Sequence, residues 1–220
     1  MKSLDLILIQ RHILGLQTFD SPYKLIAADV NNSESVTSAD LLLIRKVVLG
    51  IEDGFGDNTS WRFIPTTHEI ENPEHPYGFP EKVVLSELYV SHENIDFTAI
   101  KTGDVNGNAV ANLNTGNEIE TRSTSKMLLI EDQRFGANEK ISVPVMANEV
   151  VDLYGMQFTI ELGNDVSFIG IRSNRIEIAE HNIKVDGNSI AVSWNTLDAI
   201  NLYSEEVLFS IELESAASGE

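Results

Sequence analysis

Two kinds of hydrophobic periodicity divide this chain. Residues 3–15 and 38–50 carry apolar positions at helical spacing, and each run ends in a glycine, Gly15 or Gly50, the residue that helix C-caps favour. From about residue 125 apolar and polar positions alternate instead. Alternation places the apolar side chains on one face of a strand. The pattern therefore predicts a multi-domain α+β chain, in which a helix pair comes first and an antiparallel β-sandwich follows.

Four strands are predicted in the alternating half, and turn-forming residues near 137, 163–165 and 186–188 separate them. Trp194 ends one of the alternating series, which favours a core position over a sugar-stacking one. The small, polar residues 215–220 suggest a tail or an unfinished end, with an open sheet edge. The inward-facing residues are predicted to be Ile141, Val143, Val145, Met156, Phe158, Ile160, Leu162, Ile190, Val192, Trp194, Phe209, Ile211 and Leu213.

The residues between these halves are rich in proline, glycine and asparagine. Short strand-like runs occur at 61–64, 82–85 and 96–101, whereas residues 16–28 suggest a connector. We expect the middle region to pack on the helix pair, because Trp61 and Phe63 need cover. The predicted domains are thus residues 1–50, 51–124 and 125–220, the last of them incomplete at its C-terminus.

A polar loop directly before the second helix has the spacing of a calcium site. Asp29, Asn31 and Ser33 stand at positions 1, 3 and 5, and Asp40 stands at position 12. Ca²⁺ takes six or more oxygen ligands, and such a loop supplies most of them when the carbonyl of Ser35 is included. Glu34 at position 6 and Ser33 at position 5 depart from the usual glycine and carboxylate, so weaker binding is expected.

An alternative interpretation of the same loop needs no metal. Ser38 followed by Asp40 can cap a helix unaided, because side-chain oxygens at that place accept hydrogen bonds from the first backbone N–H groups.

The first helix repeats the second at a distance of 40 − 5 = 35 residues. Asp5 then corresponds to Asp40, and Gly15 to Gly50. Such a period indicates a duplicated unit. The loop of the first copy would precede Met1, so we expect the chain to be a piece of a longer protein.

A second loop begins in the same way, with Asp104, Asn106 and Asn108. Its twelfth position is Thr115 rather than a carboxylate, so as a metal site it is incomplete. One hypothesis is that Asp5, which lacks a loop of its own, completes this site through space. The alternative is an ordinary Asn-Gly turn.

Composition excludes several functions. The net charge of −19, from 34 acidic and 15 basic residues, argues against nucleic-acid binding, which needs clustered Lys and Arg. The chain has no cysteine, which rules out thiol chemistry and disulfides. No apolar run approaches the roughly 20 residues of a membrane span. Nucleophile motifs and zinc-helix histidine spacing are also missing, so no enzyme activity is predicted.

Two resemblances follow from these residues. The segments 28–31 and 37–41, with the 35-residue repeat, resemble the dockerin type I module, a pair of calcium loop–helix repeats found in secreted bacterial proteins. The segments 141–145, 153–158 and 189–194 resemble the cohesin and carbohydrate-binding sandwich families. Together they are similar to a region of large secreted surface proteins of Bacteroidetes.

The resemblance implies a secreted or cell-surface protein that takes calcium as its cofactor. It implies adhesion or assembly through a protein partner or neighbouring copies of the chain. The alternative is a carbohydrate-binding module of a polysaccharide-degrading enzyme, for which Tyr77 and Tyr203 are candidate ligand residues.

Overall fold

The computed structural model describes residues 3–87, 89, 91, 93, 95–109 and 128–219. The chain divides into two compact units, Met1–Val110 and Ala111–Glu220. The first unit contains helices and a strand pair, and the second contains antiparallel sheets. The predicted α+β order of elements is thereby confirmed. The predicted boundary at residues 124 and 125 lies outside the described residues.

Within the residues that the structure describes, the first unit has three helices: α1 (Ser3–Ile13), α2 (Pro22–Ala28) and α3 (Ser38–Val48). Gly15 and Gly50 follow α1 and α3 with φ of 68° and 66°, a left-handed conformation in which glycine meets no Cβ penalty. The residue after each glycine donates its backbone N–H to a carbonyl in the last helical turn, from Leu16 to Arg11 at 2.9 Å and from Ile51 to Lys46 at 2.8 Å. Both helices therefore end in the same Schellman motif, as the 35-residue repeat predicts.

Helix α2 corrects the prediction of a connector over residues 16–28. Ser21 precedes it in an extended conformation, and Pro22 is its first residue. Proline suits that position because its fixed φ is helical and its missing N–H would have no partner there. Among the described residues, no helix combines the length and the apolar character that crossing a membrane demands.

Strands β1 (Trp61–Pro65) and β2 (Phe97–Lys101) pair antiparallel. Ile64 and Ile100 enter the helical core, whereas Phe63 is 46% exposed. The expectation that Phe63 is covered was therefore wrong, because alternation along β1 turns it away when Ile64 points inward. Residues 82–85 form no strand. The core of this unit contains Leu6, Ile9, Ile26, Ala27, Ala28, Val30, Ile44, Phe55, Ile64, Ile100 and Val105.

The described part of the second unit has seven strands in two antiparallel sheets. The strands are β3 (Leu128–Leu129), β4 (Lys140–Ala147), β5 (Val151–Glu161), β6 (Val166–Ser173), β7 (Ile183–Asp186), β8 (Ser189–Leu202) and β9 (Val207–Ser215). One sheet has the order β3-β4-β9-β6, and the other has the order β5-β8-β7. A short 3-10 turn, Glu180–Asn182, precedes β7.

Both sheets contribute to one hydrophobic core. The predicted inward-facing residues all lie in it or pack against it, with Val143, Phe158, Ile160 and Leu162 only partly buried. Trp194 is 7% exposed and stands opposite Met156 across the β5–β8 pair. Trp194 is therefore a core residue, as the alternation predicts.

The segment after β9 is ordered by hydrogen bonds. Gly219 and Phe135 exchange two backbone bonds of 3.0 and 3.1 Å, and the Ser215 hydroxyl donates to the carbonyl of Gly136 at 2.6 Å. Strand β9 lies between β4 and β6. Both sides of β9 are thus paired, and the outer strands of its sheet are β3 and β6. The expectation of an unfinished sheet with an open edge stays a prediction.

Candidate calcium sites

The carboxylate of Asp29 organises the start of the first loop. Asp29 follows α2 directly and is 2% exposed. Its Oδ1 accepts from the backbone N–H of Ser33 at 2.8 Å, and its Oδ2 accepts from that of Glu34 at 2.8 Å. The loop backbone therefore turns around a buried carboxylate, and a cation bound there would stabilise this arrangement.

Asp40 joins this loop to α3. It is fully buried in the first helical turn. Its Oδ1 accepts from the N–H of Asn31 at 3.2 Å, and its Oδ2 accepts from the N–H of Thr37 at 2.8 Å. The N-cap is thus Thr37, one residue before the predicted Ser38. Oδ2 of Asp40 serves the helix cap, and Oδ1 serves the loop. Capping the helix therefore does not prevent this carboxylate from binding a metal ion.

The remaining predicted ligands stand close to these carboxylates. The Ser33 hydroxyl lies 3.3 Å from the carbonyl oxygen of Ser35 and 3.5 Å from Asp29 Oδ1. Asn31 Oδ1 accepts from the N–H of Ser33 at 3.0 Å. The structure therefore gathers all five predicted residues around one short loop.

Two residues of the loop adopt the left-handed conformation, Asn32 with φ of 55° and Glu34 with φ of 63°. Asparagine tolerates this region, but for glutamate it costs about 1–2 kcal/mol. Glu34 thus takes up the sharp turn that glycine usually provides at position 6. The departure noted in the sequence therefore adds an energetic cost to the turn.

The loop concentrates negative charge in a place with little water. Burial raises the pKa of the Asp29 carboxyl above its ordinary value, and the nearby Asp40 carboxylate adds to the rise. Hydrogen bonds from the loop backbone oppose this shift. A divalent cation between the carboxylates would relieve their repulsion and the cost of burying them.

The second loop meets Asp5 of α1 across 101 residues of chain. Asp5 is fully buried, and its Oδ1 accepts from the N–H groups of Val105 and Asn106 at 3.2 and 3.3 Å and from the Asn106 side-chain amide at 2.8 Å. The structure thus places Asp5 against the loop that begins at Asp104. Thr115, the twelfth residue of that loop, lies outside the described residues.

Four hydrogen bonds of the first loop recur in the second. Asp104 Oδ1 accepts from the N–H of Asn108 at 3.3 Å, and its Oδ2 accepts from that of Ala109 at 2.7 Å. Asn106 Oδ1 accepts from the N–H of Asn108 at 3.1 Å. The Asp5 bond to the N–H of Asn106 repeats the Asp40 bond to that of Asn31. Asp5 therefore holds the place of a position-12 carboxylate, although it precedes its loop in the chain.

The donor set of both loops favours calcium over zinc. Among the described residues, no three His, Cys, Asp or Glu side chains are grouped as a metal site. Each loop offers two carboxylates, and its other oxygens come from asparagine, serine or the backbone. Calcium accepts such neutral oxygens readily, whereas zinc prefers sulfur and imidazole nitrogen.

Residues far along the chain support the first loop. The Asn58 side-chain amide donates to the carbonyls of Asp29 at 3.3 Å and Val30 at 3.0 Å. Arg62 Nη1 donates to Asn32 Oδ1 at 2.8 Å, and its guanidinium also contacts Glu81. Sequence spacing carried no signal for these contacts, because they join segments about 30 residues apart.

Tyr77 also lies in the surroundings of the first loop, rather than on an exposed surface that a ligand could reach. Burial raises the pKa of its hydroxyl above the ordinary value, and the carboxylates of Asp29 and Asp40 add to the rise. Its neighbour His75 lies with Nε2 4.0 Å from Glu34 Oε2. The proline-rich segment around residue 77 therefore lies beside the first loop.

Comparison with known proteins finds a family match for part of the chain. Residues 2–49 match the Dockerin type I domain. Dockerin type I domains are non-catalytic, calcium-binding modules that assemble with cohesin partners and occur in extracellular proteins. The match ends before the Asp104 loop and before the second unit. Searches among curated proteins and among solved structures found no match.

Proposed function

We propose that this chain is a calcium-dependent protein-assembly segment of a secreted or cell-surface bacterial protein. The observation that carries the proposal is the buried carboxylate pair Asp29 and Asp40, which faces one short loop inside the dockerin match. Calcium would be held by Asp29, Asn31, Ser33, the carbonyl of Ser35 and Asp40. An ion there joins α2 to α3 and so stabilises the helical surface that a partner would contact.

The second loop is proposed as a second calcium site, formed by Asp104, Asn106, Asn108 and Asp5. The support is the recurrence of the first loop's hydrogen bonds, including the one from the helix carboxylate. This ion would tie the start of the first unit to its end.

Ion counting tests the two sites. Calorimetric titration of the calcium-free chain should give two ions per chain, and Asp104→Ala should give one, because it removes the carboxylate at position 1 of the second loop. Asp53→Ala, which removes an exposed carboxylate of the same unit, should still bind two. One ion in the unaltered chain would contradict the second site.

The second unit is proposed to be a cohesin-like β-sandwich. Two antiparallel sheets that share one core support this, since sandwiches pack two such sheets face to face. The proposal keeps residues 1–50 as the dockerin-like part, residues 51–124 as an intermediate region and residues 125–220 as the sandwich.

The proposed partner is a cohesin-type surface, on another protein or on a neighbouring copy of this chain. Leu4 of α1 and Leu42 of α3 are 50% and 51% exposed, so each helix offers apolar surface beyond what the first unit buries. Apolar side chains rimmed by polar ones are typical of protein contacts.

Light scattering tests self-assembly directly. The chain at high concentration should gain mass in calcium and lose it in chelator, because calcium orders the helical surface. Leu42→Glu should abolish the gain while leaving calcium binding intact. A strict monomer in both conditions would contradict assembly between copies and would leave a separate protein as the partner.

The carbohydrate-binding alternative gains nothing from the described residues. Trp194 is buried in the core, and Tyr77 lies beside the first loop. Tyr203 is 63% exposed, but exposure alone does not make it a sugar-stacking residue. Assembly through protein contacts is the better supported function.

A further inference from the structure

We propose that the two calcium loops bind their ions cooperatively, through a short bridge that joins the first residues of one loop to the residues just before the other. The inference rests on the proposed function, since it needs both sites. It goes further by assigning a coupling between them and the residues that transmit it.

One link is a direct backbone bond. The N–H of Gly103 donates to the carbonyl of Ala27 at 2.7 Å. Gly103 immediately precedes Asp104, and Ala27 lies two residues before Asp29. The position-1 carboxylates of the two loops therefore belong to backbone segments that are held to each other.

The second link is the bridge, residues 58–60. At one end, the Asn58 amide donates to the carbonyls of Asp29 and Val30. At the other end, the carbonyl of Thr59 accepts from the Thr102 hydroxyl at 2.6 Å, and that of Ser60 accepts from the Thr102 N–H at 3.1 Å. The same three residues thus hold the start of the first loop and the residue two before Asp104.

Burial makes the ends of this link firm, although Thr59 and Ser60 themselves are exposed. Thr102 is fully buried, and Asp29 and Asp104 are 2% and 8% exposed. Water cannot readily replace a hydrogen bond lost at a buried group, so such bonds are costly to break. Ordering the backbone around one ion therefore lowers the ordering cost at the other loop, which is the physical basis of positive cooperativity.

The coupling has a reciprocal signature. Equilibrium coupling requires that each ion raise the affinity of the other site by the same factor. Asp104→Ala should lower the affinity of the first loop for calcium about five-fold or more, and Asp29→Ala should lower that of the second loop by the same factor. Asp53→Ala is the matched control and should change neither affinity.

The role of Thr102 is that of a positioning residue, and it has its own test. Thr102→Val removes the hydroxyl that donates to Thr59 and retains the backbone bond to Ser60. In the Asp104→Ala background, this change should leave the affinity of the first loop as it was. In the chain with both loops intact, it should reduce the coupling factor. A purely structural role would instead lower calcium affinity equally in both backgrounds.

Calorimetric titration of the full chain with calcium chloride separates the outcomes. Two ions with equal reciprocal factors support the coupling. Two ions, with a remaining site that is indifferent to loss of the other, would overturn the coupling and leave both sites standing. A single ion would overturn the second site and the coupling together. The reciprocal comparison does not use Thr102→Val, so it decides the matter even where that variant fails to fold.

Discussion

Replacing Trp194 with alanine is expected to destabilise the second unit by about 3–5 kcal/mol, the range for truncating a buried tryptophan. Trp194 is 7% exposed and packs in the core that both sheets share. Removing its ring withdraws apolar surface from the core and leaves a cavity that the surrounding strands only partly fill. Urea unfolding followed by far-ultraviolet circular dichroism measures the loss as a shift of the β-sheet transition.

Tyr203→Ala provides the matched control, because this aromatic side chain of the same unit is 63% exposed. It should change stability by no more than about 0.5 kcal/mol. If Trp194→Ala unfolded at the same urea concentration as the parent, the core assignment of Trp194 would be wrong. Loss of glycan binding by that variant would then make Trp194 a ligand residue.

Asp40→Ala is expected to remove most of the calcium affinity of the first loop. Asp40 is the fully buried carboxylate that joins the loop to α3. At 100 to 1,000 times its dissociation constant, calcium should stabilise the first unit by about 3–4 kcal/mol. The variant should lose this gain and, because it also removes the capping-box hydrogen bond from the N–H of Thr37, about 1 kcal/mol more. Thermal unfolding with calcium and with chelator measures both effects.

Measurements in chelator and in calcium separate the two contributions of Asp40 to stability. In chelator only the capping loss remains, whereas in calcium both appear. Asp53→Ala should keep the full calcium response, because its exposed carboxylate lies outside both loops. A melting temperature of the parent chain that ignored calcium and chelator would refute the first site.

Local spacing is what makes the first loop and the repeated helices predictable. Asp29 and Asp40 are 11 residues apart in one uninterrupted loop–helix segment, so their relation depends on local backbone geometry. The matching Schellman motifs at Gly15 and Gly50 likewise need only the last turn of a helix and the residues after it.

Apolar alternation predicted strands β4, β5, β8 and β9 of the second unit and missed β3, β6 and β7. Strands β4, β8 and β9 follow regular apolar alternation over their core-facing runs. Strand β6 was not predicted, because a register shift between Phe168 and Gly170 interrupts the period of two. A bulge puts two residues opposite one, and the apolar pattern then ceases to alternate.

By itself, the sequence determined the helix pair, the first loop, its candidate ligand residues and the core face of the longest strands. Each of these depends on neighbours within about a dozen residues. Only the tertiary structure decided that Asp5 lies on the Asp104 loop, that Asn58 holds the backbone of Asp29, and that Thr102 joins the bridge. Such contacts depend on how separate segments pack. Segments up to 101 residues apart pack together without producing a periodic pattern in the sequence.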